Sequence, residues 1–169
     1  MRKSFQTKYW VKQLLMVQDP SIFMLFRNIL IPYDGSKDAI HAFKIALDIA
    51  QKFDSKLIVL TCLAKPEYRG VWYYDSRYSK AILKKEEKIA RENISKLIEA
   101  AKKKTDINIR FKIIPAVSIT NQIVSFAGSN KIDLIVMGSH GRTGFDKVLL
   151  GSVAQGVSQK VHCPALIIK

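Results

Sequence analysis

Cysteine, glycine and proline are scarce in this sequence, long apolar runs are absent, and each of these features excludes a class of protein. The two cysteines among 169 residues show no paired-thiol or Cys/His metal spacing, which excludes a disulfide scaffold and a zinc module and favours a reducing cytoplasm. Eight glycines and five prolines are too few for a fibrous or low-complexity chain. No apolar run approaches the roughly 20 residues that span a bilayer, so we expect no membrane association and a cytoplasmic location.

Basic residues, in contrast, are abundant. The chain has 28 Lys and Arg against 14 Asp and Glu, for a formal net charge of +14. A charge of this sign favours anionic partners such as nucleotides but does not indicate a fold. Much of the excess lies on one predicted helix, over residues 77–104, where a solvated outer face explains it. The sequence has no recognition-helix or aromatic-platform motif, so we do not expect nucleic acid as a partner.

The chain divides into an N-terminal extension, residues 1–23, and one domain, residues 24–169. The extension has neither sustained alternation nor a buried run, and we expect it to add no strand to the domain. Two explanations of this extension remain open: it is a functional arm, or the start codon has been placed too far upstream. No linker or internal repeat divides the rest.

Within the domain, short apolar runs alternate with amphipathic segments. The runs predict strands at 28–32, 57–63, 107–113, 132–137 and 164–168, and the segments predict helices at 37–53, 77–104, around 119–126 and from about 152. Strict alternation of apolar and polar residues over 107–113 predicts an edge strand. The pattern as a whole predicts a three-layer, doubly wound α/β domain with a parallel sheet.

In such sheets, ligands bind at the carboxyl ends of the strands. A glycine-rich stretch, 138–144, follows the fourth predicted strand, and Gly151-Ser152 begins the next helix. Glycine allows close approach of the backbone, and a helix N-terminus attracts anions, so these segments predict a phosphate site. Neither the P-loop spacing nor the dinucleotide fingerprint is present.

Four motifs in order make the sequence resemble the universal stress protein family over about residues 25–169. They are the segments 28–36, 133–142, 151–154 and 163–168, and the second and third carry the spacing Gly138-x-x-Gly141, nine residues, Gly151-Ser152. The resemblance implies five parallel strands in the order 3-2-1-4-5, the adenine nucleotide alpha hydrolase-like fold, and an ATP-binding cleft. It also implies a homodimer through the last strand, Ala165, Leu166, Ile167 and Ile168.

The resemblance further implies a set of nucleotide contacts. Asp34 is expected to meet the ribose or a Mg²⁺ ion bound through the ATP phosphates. Ala116 stands where the family commonly has glycine, which leaves the adenine side least defined. The implied cofactor-binding residues are Pro32, Tyr33, Asp34, Thr61, Cys62, Ala116, Val117, Met137, Gly138, His140, Gly141, Arg142, Gly151, Ser152 and Val153.

Binding is expected to rely on backbone amides of 138–141 and 151–153, helped by the Ser152 hydroxyl. His140 has no partner acid nearby in the sequence, so no catalytic residue is predicted. Arg142 and Lys147 are either phosphate ligands or solvated charges, and the aromatic loop at 72–74 is either a lid or packing on the sheet end.

The first functional hypothesis is an ATP-binding stress or regulatory protein with an unknown protein partner. The alternative is a slow ATPase or a nucleotidyl-transfer enzyme of the same fold class. The His-x-Gly-His pair of adenylyl transferases and the Ser-Gly-Gly-x-Asp-Ser loop of ATP pyrophosphatases are both absent. We therefore expect binding with slow or no turnover.

Overall fold

The computed structural model describes residues 26–65, 76–142 and 150–169, without the side chains of 76–79. Strands and helices alternate through these residues as the sequence predicts. The strands are β1 (Asn28–Pro32), β2 (Lys56–Ala64), β3 (Ile109–Ala116), β4 (Leu134–Gly138) and β5 (Ala165–Ile168). The helices are α1 (Lys37–Phe53), α2 (Ser76–Lys102), α3 (Ile119–Ser129) and α4 (Ser152–Lys160).

The five strands form one parallel sheet in the order β3-β2-β1-β4-β5, which confirms the predicted fold. β1 is central, and Leu30 pairs with Ile58 of β2 on one side and with Ile135 of β4 on the other. The chain order reverses between β1 and β4, so the two crossovers leave a crevice at their carboxyl ends. β3 and β5 are the edges.

The two faces of the sheet carry separate hydrophobic clusters. The first packs α1 and α2 on one face, with Ile31, Val59 and Ile94 fully buried. The second packs α3 and α4 on the other face, around Leu30, Ile123 and Ile135. Helices on both faces explain why the inner strands are apolar at consecutive positions. Among the described residues, no helix combines the length and the apolar character that crossing a bilayer requires.

The ends of β3 differ from the prediction. The strand begins at Ile109 rather than at 107 and continues to Ala116, because its ladder with β2 runs from Leu57–Ile109 to Ala64–Ala116. The apolar-polar alternation ends at Ile113, but the backbone pairing continues. The predictions on the extension 1–23, on the aromatic loop 72–74 and on Lys147 lie outside the described residues.

Candidate functional site

A cavity of about 530 Å³ lies at the crevice between β1 and β4. Its wall comes from the carboxyl ends of β1, β2 and β4 and from the first turns of α1, α3 and α4. Most of the sequence-predicted site residues line it, namely Pro32, Tyr33, Asp34, Cys62, Met137, Gly138, His140, Gly141, Arg142, Gly151, Ser152 and Val153.

One end of the cavity is apolar. Leu60, Met137 and Ile123 belong to the second hydrophobic cluster and also line the cavity. Cys62 lines the same wall, and burial raises the pKa of its thiol to about 11, so the thiol is neutral at physiological pH. Burial, with the nearby Asp34 charge adding to it, also raises the pKa of Tyr33. This end suits a flat apolar ring rather than a charged group.

The other end is polar because the first turn of α1 holds the loop after β4. Ser36 caps α1 by accepting from the Ala39 amide and donates its hydroxyl to the His140 carbonyl, 3.3 Å away. Asp34 accepts from the Ser36 amide at 2.9 Å and from the Arg142 amide at 3.1 Å. The resemblance implies a ligand contact for Asp34, and the structure shows its carboxylate bonded to the turn before α1 and to the loop after β4.

Asp38 is the residue that the sequence analysis missed. Its Oδ2 accepts from the Ser139 hydroxyl at 2.9 Å and from the His140 amide at 3.1 Å, and it lies 3.6 Å from His140 Nδ1. Ser139 Oγ is also 2.9 Å from His140 Nδ1. The expectation that His140 lacks a partner acid is therefore wrong. Asp38 and Ser139 are about one hundred positions apart, and only the packing of α1 on β4 brings them together.

Three of the backbone amides that the sequence analysis assigns to the ligand form hydrogen bonds within the protein. The amide of Ser139 donates to the Ile168 carbonyl at 2.6 Å, that of His140 donates to Asp38, and that of Gly151 donates to the Ser139 carbonyl at 2.9 Å. These three donors are already used within the protein. α4 begins at Ser152 without a side-chain cap, so the amides of its first turn, at Ser152 and Val153, are candidate donors to an anion.

Three predicted contacts do not line the cavity. Thr61 is buried and donates its hydroxyl to the Tyr33 carbonyl at 2.7 Å. It therefore holds the backbone that follows β1 and does not contact the cavity. Ala116 is 2% exposed, and its carbonyl accepts from the Lys65 amide. Val117 is 55% exposed at the end of β3. The apolar wall of the cavity instead includes Ile119 and Ile123 of α3.

Several residues that line the cavity were also not predicted from the sequence. Only two of them have a sequence feature that could have placed them at the site. Ser36 is in a helix-capping position, and Ser139 lies within the glycine-rich stretch. Leu150 and Gln155 are ordinary residues whose place in the wall follows from the position of α4. The unpredicted lining residues also include Ala39 and Ala154.

Two glycines explain how closely these segments approach one another. A Cβ at Gly138 would lie 2.7 Å from Asp38 Cβ and 2.9 Å from the Ala39 nitrogen, so β4 contacts the backbone of α1 directly. A Cβ at Gly151 would lie 3.0 Å from the Ser139 carbonyl oxygen. Side chains at either position would push α1 or α4 away from the loop and open the site.

The sheet order and the position of the cleft define the class: a doubly wound α/β protein with the adenine nucleotide alpha hydrolase-like fold. The family model for the universal stress protein family matches residues 25–169. A universal stress protein of Methanocaldococcus jannaschii is 35% identical over 150 residues, covering 86% of this chain and 83% of its own. The chain belongs to the universal stress protein family.

Solved structures agree with this fold. A universal stress protein from Lactobacillus plantarum superposes with a TM-score of 0.77 at 24% identity, covering 85% of this chain and 98% of its own. A universal stress protein in complex with cAMP has a TM-score of 0.65 at 23% identity, covering 86% and 98%. One from Archaeoglobus fulgidus in complex with dAMP has a TM-score of 0.60 at 20% identity, covering 86% and 100%.

Proposed function

We propose that this protein binds an adenine nucleotide, ATP in the first instance, and acts in the cytoplasm as a nucleotide-dependent regulatory or stress-response factor. The observation that carries the proposal is the cavity itself, which has an apolar wall suited to an adenine ring and the first turn of α4, suited to phosphates. The cAMP and dAMP complexes of family members support this choice of ligand class.

The donor set fits a nucleotide. Leu60, Met137 and Ile123 offer an apolar surface to the base, and the amides at the start of α4, with the Ser152 hydroxyl, offer donors to a phosphate. Asp34 is exposed at the polar end, where its carboxylate suits a ribose hydroxyl or Mg²⁺. Mg²⁺ held there would neutralise phosphate charge that otherwise faces the carboxylate.

A slow ATPase is the second candidate, and the contact between Asp38 and His140 favours it. A carboxylate beside a histidine can orient its imidazole for a role as general base. We nevertheless expect turnover far below the typical enzyme range of about 1–10³ s⁻¹, because a phosphoryl-transfer site also needs a positioned cation near the γ-phosphate, and the loop carries no P-loop lysine.

The test begins with purified protein, denatured to release and identify any bound small molecule. A titration with ATP and Mg²⁺ follows, for wild type, Gly141→Val and the control Gly128→Ala. A Cβ at Gly141 would lie 2.9 Å from Asp34 Oδ2, so the valine disturbs the site, whereas Gly128 lies outside the cavity wall. We expect Gly141→Val to abolish binding. Equal affinity in all three proteins, or no nucleotide binding at all, would contradict the proposal.

Turnover is measured separately, as phosphate release over hours. Release near 1 s⁻¹ that disappears in His140→Ala would replace the regulatory function by an ATPase. A rate near the background with tight binding would support the regulatory function.

We also propose a homodimer through β5. Leu166 is 39% exposed on this edge strand, whereas the other edge, β3, exposes Arg110 and Lys112, which discourage strand pairing. Leu166→Lys is expected to sediment as a monomer. The control Val117→Lys, which adds the same charge at another exposed site, should stay dimeric. Dimers of unchanged affinity in Leu166→Lys would place the interface elsewhere.

A further inference from the structure

The long helix α2 carries a stripe of basic residues along one flank. Lys80, Lys84 and Lys88 follow one another at intervals of four residues, and all three are exposed. Arg91 continues the stripe, because residues three or four apart lie on the same face of a helix. We call these four residues the basic flank. Within the described part of the chain, the three lysines form no ion pair, whereas Arg91 Nη2 lies 2.8 Å from Glu87 Oε1.

The stability of the helix does not account for this arrangement. Like charges four residues apart repel each other, and the first turn of α2 has no acidic residue to balance the positive end of the helix dipole. The outer face of the same helix mixes both signs and places Glu92 four residues before Lys96, a spacing that stabilises helices. A solvated face explains those outer charges, but it leaves the uncompensated lysines of the basic flank unexplained.

The basic flank lies on a part of α2 that the sheet does not bury. α2 has 27 residues and is about 40 Å long, whereas β3, on which it packs, has 8 residues and spans about 26 Å. The buried side chains of α2 are Ile94, Ile98 and Ala101, all in its C-terminal third. An open groove of about 610 Å³ runs along the flank, and its described lining residues are Ala81, Lys84, Lys85, Glu87, Lys88 and Arg91.

We propose that the basic flank is a docking surface for an acidic α-helix of a protein partner. Four residues of a helix rise about 6 Å, so glutamates at the same interval on a second helix would lie opposite Lys80, Lys84 and Lys88. Ala81 and the aliphatic stems of the lysines give the groove an apolar base on which such a helix packs. The proposal gives the regulatory function a class of partner and does not depend on nucleotide binding.

Charge and topology argue against an occupant from this protein itself. The extension, residues 1–23, has four basic residues and one acidic residue, so the basic flank would repel it. A second copy would bring the same basic flank and the same net positive charge. The dimer proposed through β5 uses the edge of the sheet opposite to β3, and α2 packs on β2 and β3, so the flank stays open in that dimer.

The surroundings of the flank favour carboxylates over a nucleic acid. The Arg91 guanidinium lies 5.5 Å from the centroid of the Phe111 ring, and this ring also packs against the first hydrophobic cluster. Phe111 is therefore not available as a platform for a base, the contact that single-stranded nucleic acids use. A single-stranded RNA is the competing occupant in the test.

The test uses the full chain without nucleotide and two labelled helical peptides, measured by fluorescence anisotropy at low salt. In the first peptide, glutamates recur every four residues along one face; the second has the same composition with its glutamates spread around the helix. Wild type should bind the first peptide about fivefold more tightly, since several exposed ion pairs of modest strength then form together. Added salt should weaken this binding.

Charge reversal locates the surface. Lys84→Glu combined with Lys88→Glu should weaken binding of the first peptide by about tenfold. The control combines Lys44→Glu with Lys96→Glu, two exposed lysines outside the flank, and changes the net charge equally. It should weaken binding by at most about twofold, through long-range charge alone. If the reversed variant does not fold, Lys84→Gln with Lys88→Gln removes the charges and should weaken binding by about threefold.

Three results would overturn the proposal. The first is no binding of the first peptide, or equal binding of both peptides. The second is an equal loss of affinity in the flank variant and in its control, which would indicate attraction by net charge only. The third is an oligouridylate that binds more tightly than the first peptide and depends on Lys84 and Lys88, which would make the partner an RNA. Nucleotide binding is measured separately, so either proposal can fail while the other stands.

Discussion

The contact between Gly138 and α1 makes Gly138→Ala the most direct test of how the site is assembled. The new Cβ would lie 2.7 Å from Asp38 Cβ, 2.8 Å from the Asp38 carbonyl carbon and 2.9 Å from the Ala39 nitrogen. Two of these three are backbone atoms of a helix, which no rotamer change can move. The N-terminus of α1 must therefore shift away from β4, and the bonds from Asp38 to Ser139 and His140 must lengthen.

The size of the effect follows from these two consequences. Overpacking by one methyl group in a rigid contact costs about 1–3 kcal/mol, and each weakened hydrogen bond adds up to about 1 kcal/mol. We expect Gly138→Ala to lower the free energy of unfolding by about 3 kcal/mol. Urea unfolding, followed by circular dichroism, measures this difference. A chain of this size should also lose roughly 6–12 °C in Tm.

Gly128→Ala is the matched control. A Cβ at Gly128 meets only His162 Cε1, at 3.9 Å, and alanine is favoured over glycine within a helix by roughly 0.5–1 kcal/mol. This variant should be as stable as wild type or more stable. If Gly138→Ala lost less than about 1 kcal/mol and bound nucleotide normally, the close packing of α1 on β4 would not be what builds the site, and the reasoning would be refuted.

Two further predictions follow. Burial raises the Cys62 pKa from 9.0 to about 11, so the neutral thiol favours the folded state below pH 9, and this contribution is lost as the pH rises through 11. Alkylation of Cys62 should accordingly be slow near neutral pH and accelerate toward pH 11, and bound nucleotide should protect it; fast labelling near neutral pH would contradict the assigned burial. Deleting residues 1–23 should leave ATP affinity and Tm nearly unchanged, and a loss of several kcal/mol in unfolding free energy would show that the extension packs on the domain.

The fold was accessible from the sequence because each element carries its own periodic signal. The bounds of β1 and α1 match the prediction residue for residue, since Asp34-Gly35-Ser36 separates an apolar run from an amphipathic one. Gly35, at φ +85°, and the capping Ser36 are local features that a sequence displays directly. The ends of β3 were less accessible, because its last residues are held by pairing with β2 and not by their own pattern.

The site was accessible only in part. The glycine spacing located the loop and the start of α4, but it did not show which loop amides the protein itself uses. The bonds from His140 and Ser139 to Asp38 depend on how α1 lies across β4, and an aspartate in the first turn of a helix is too common to predict such a contact. Ala116 and Val117 were assigned to the cavity by resemblance, whereas the turn into α3 places Ile119 there.

Several residues belong both to the cavity and to the second hydrophobic cluster. The two faces of the sheet are therefore under different evolutionary constraints. On the α1–α2 face, Tyr33 and Ala39 of the first cluster also line the cavity, whereas buried residues such as Ile94 are constrained by folding alone. Cores tolerate exchanges that keep their total volume. On the α3–α4 face, Leu60, Ile123 and Met137 are constrained both by folding and by the shape of the cavity. Divergence in the proposed nucleotide preference among relatives should therefore appear first as paired exchanges on the α3–α4 face, where one substitution changes both the core packing and the shape of the cavity.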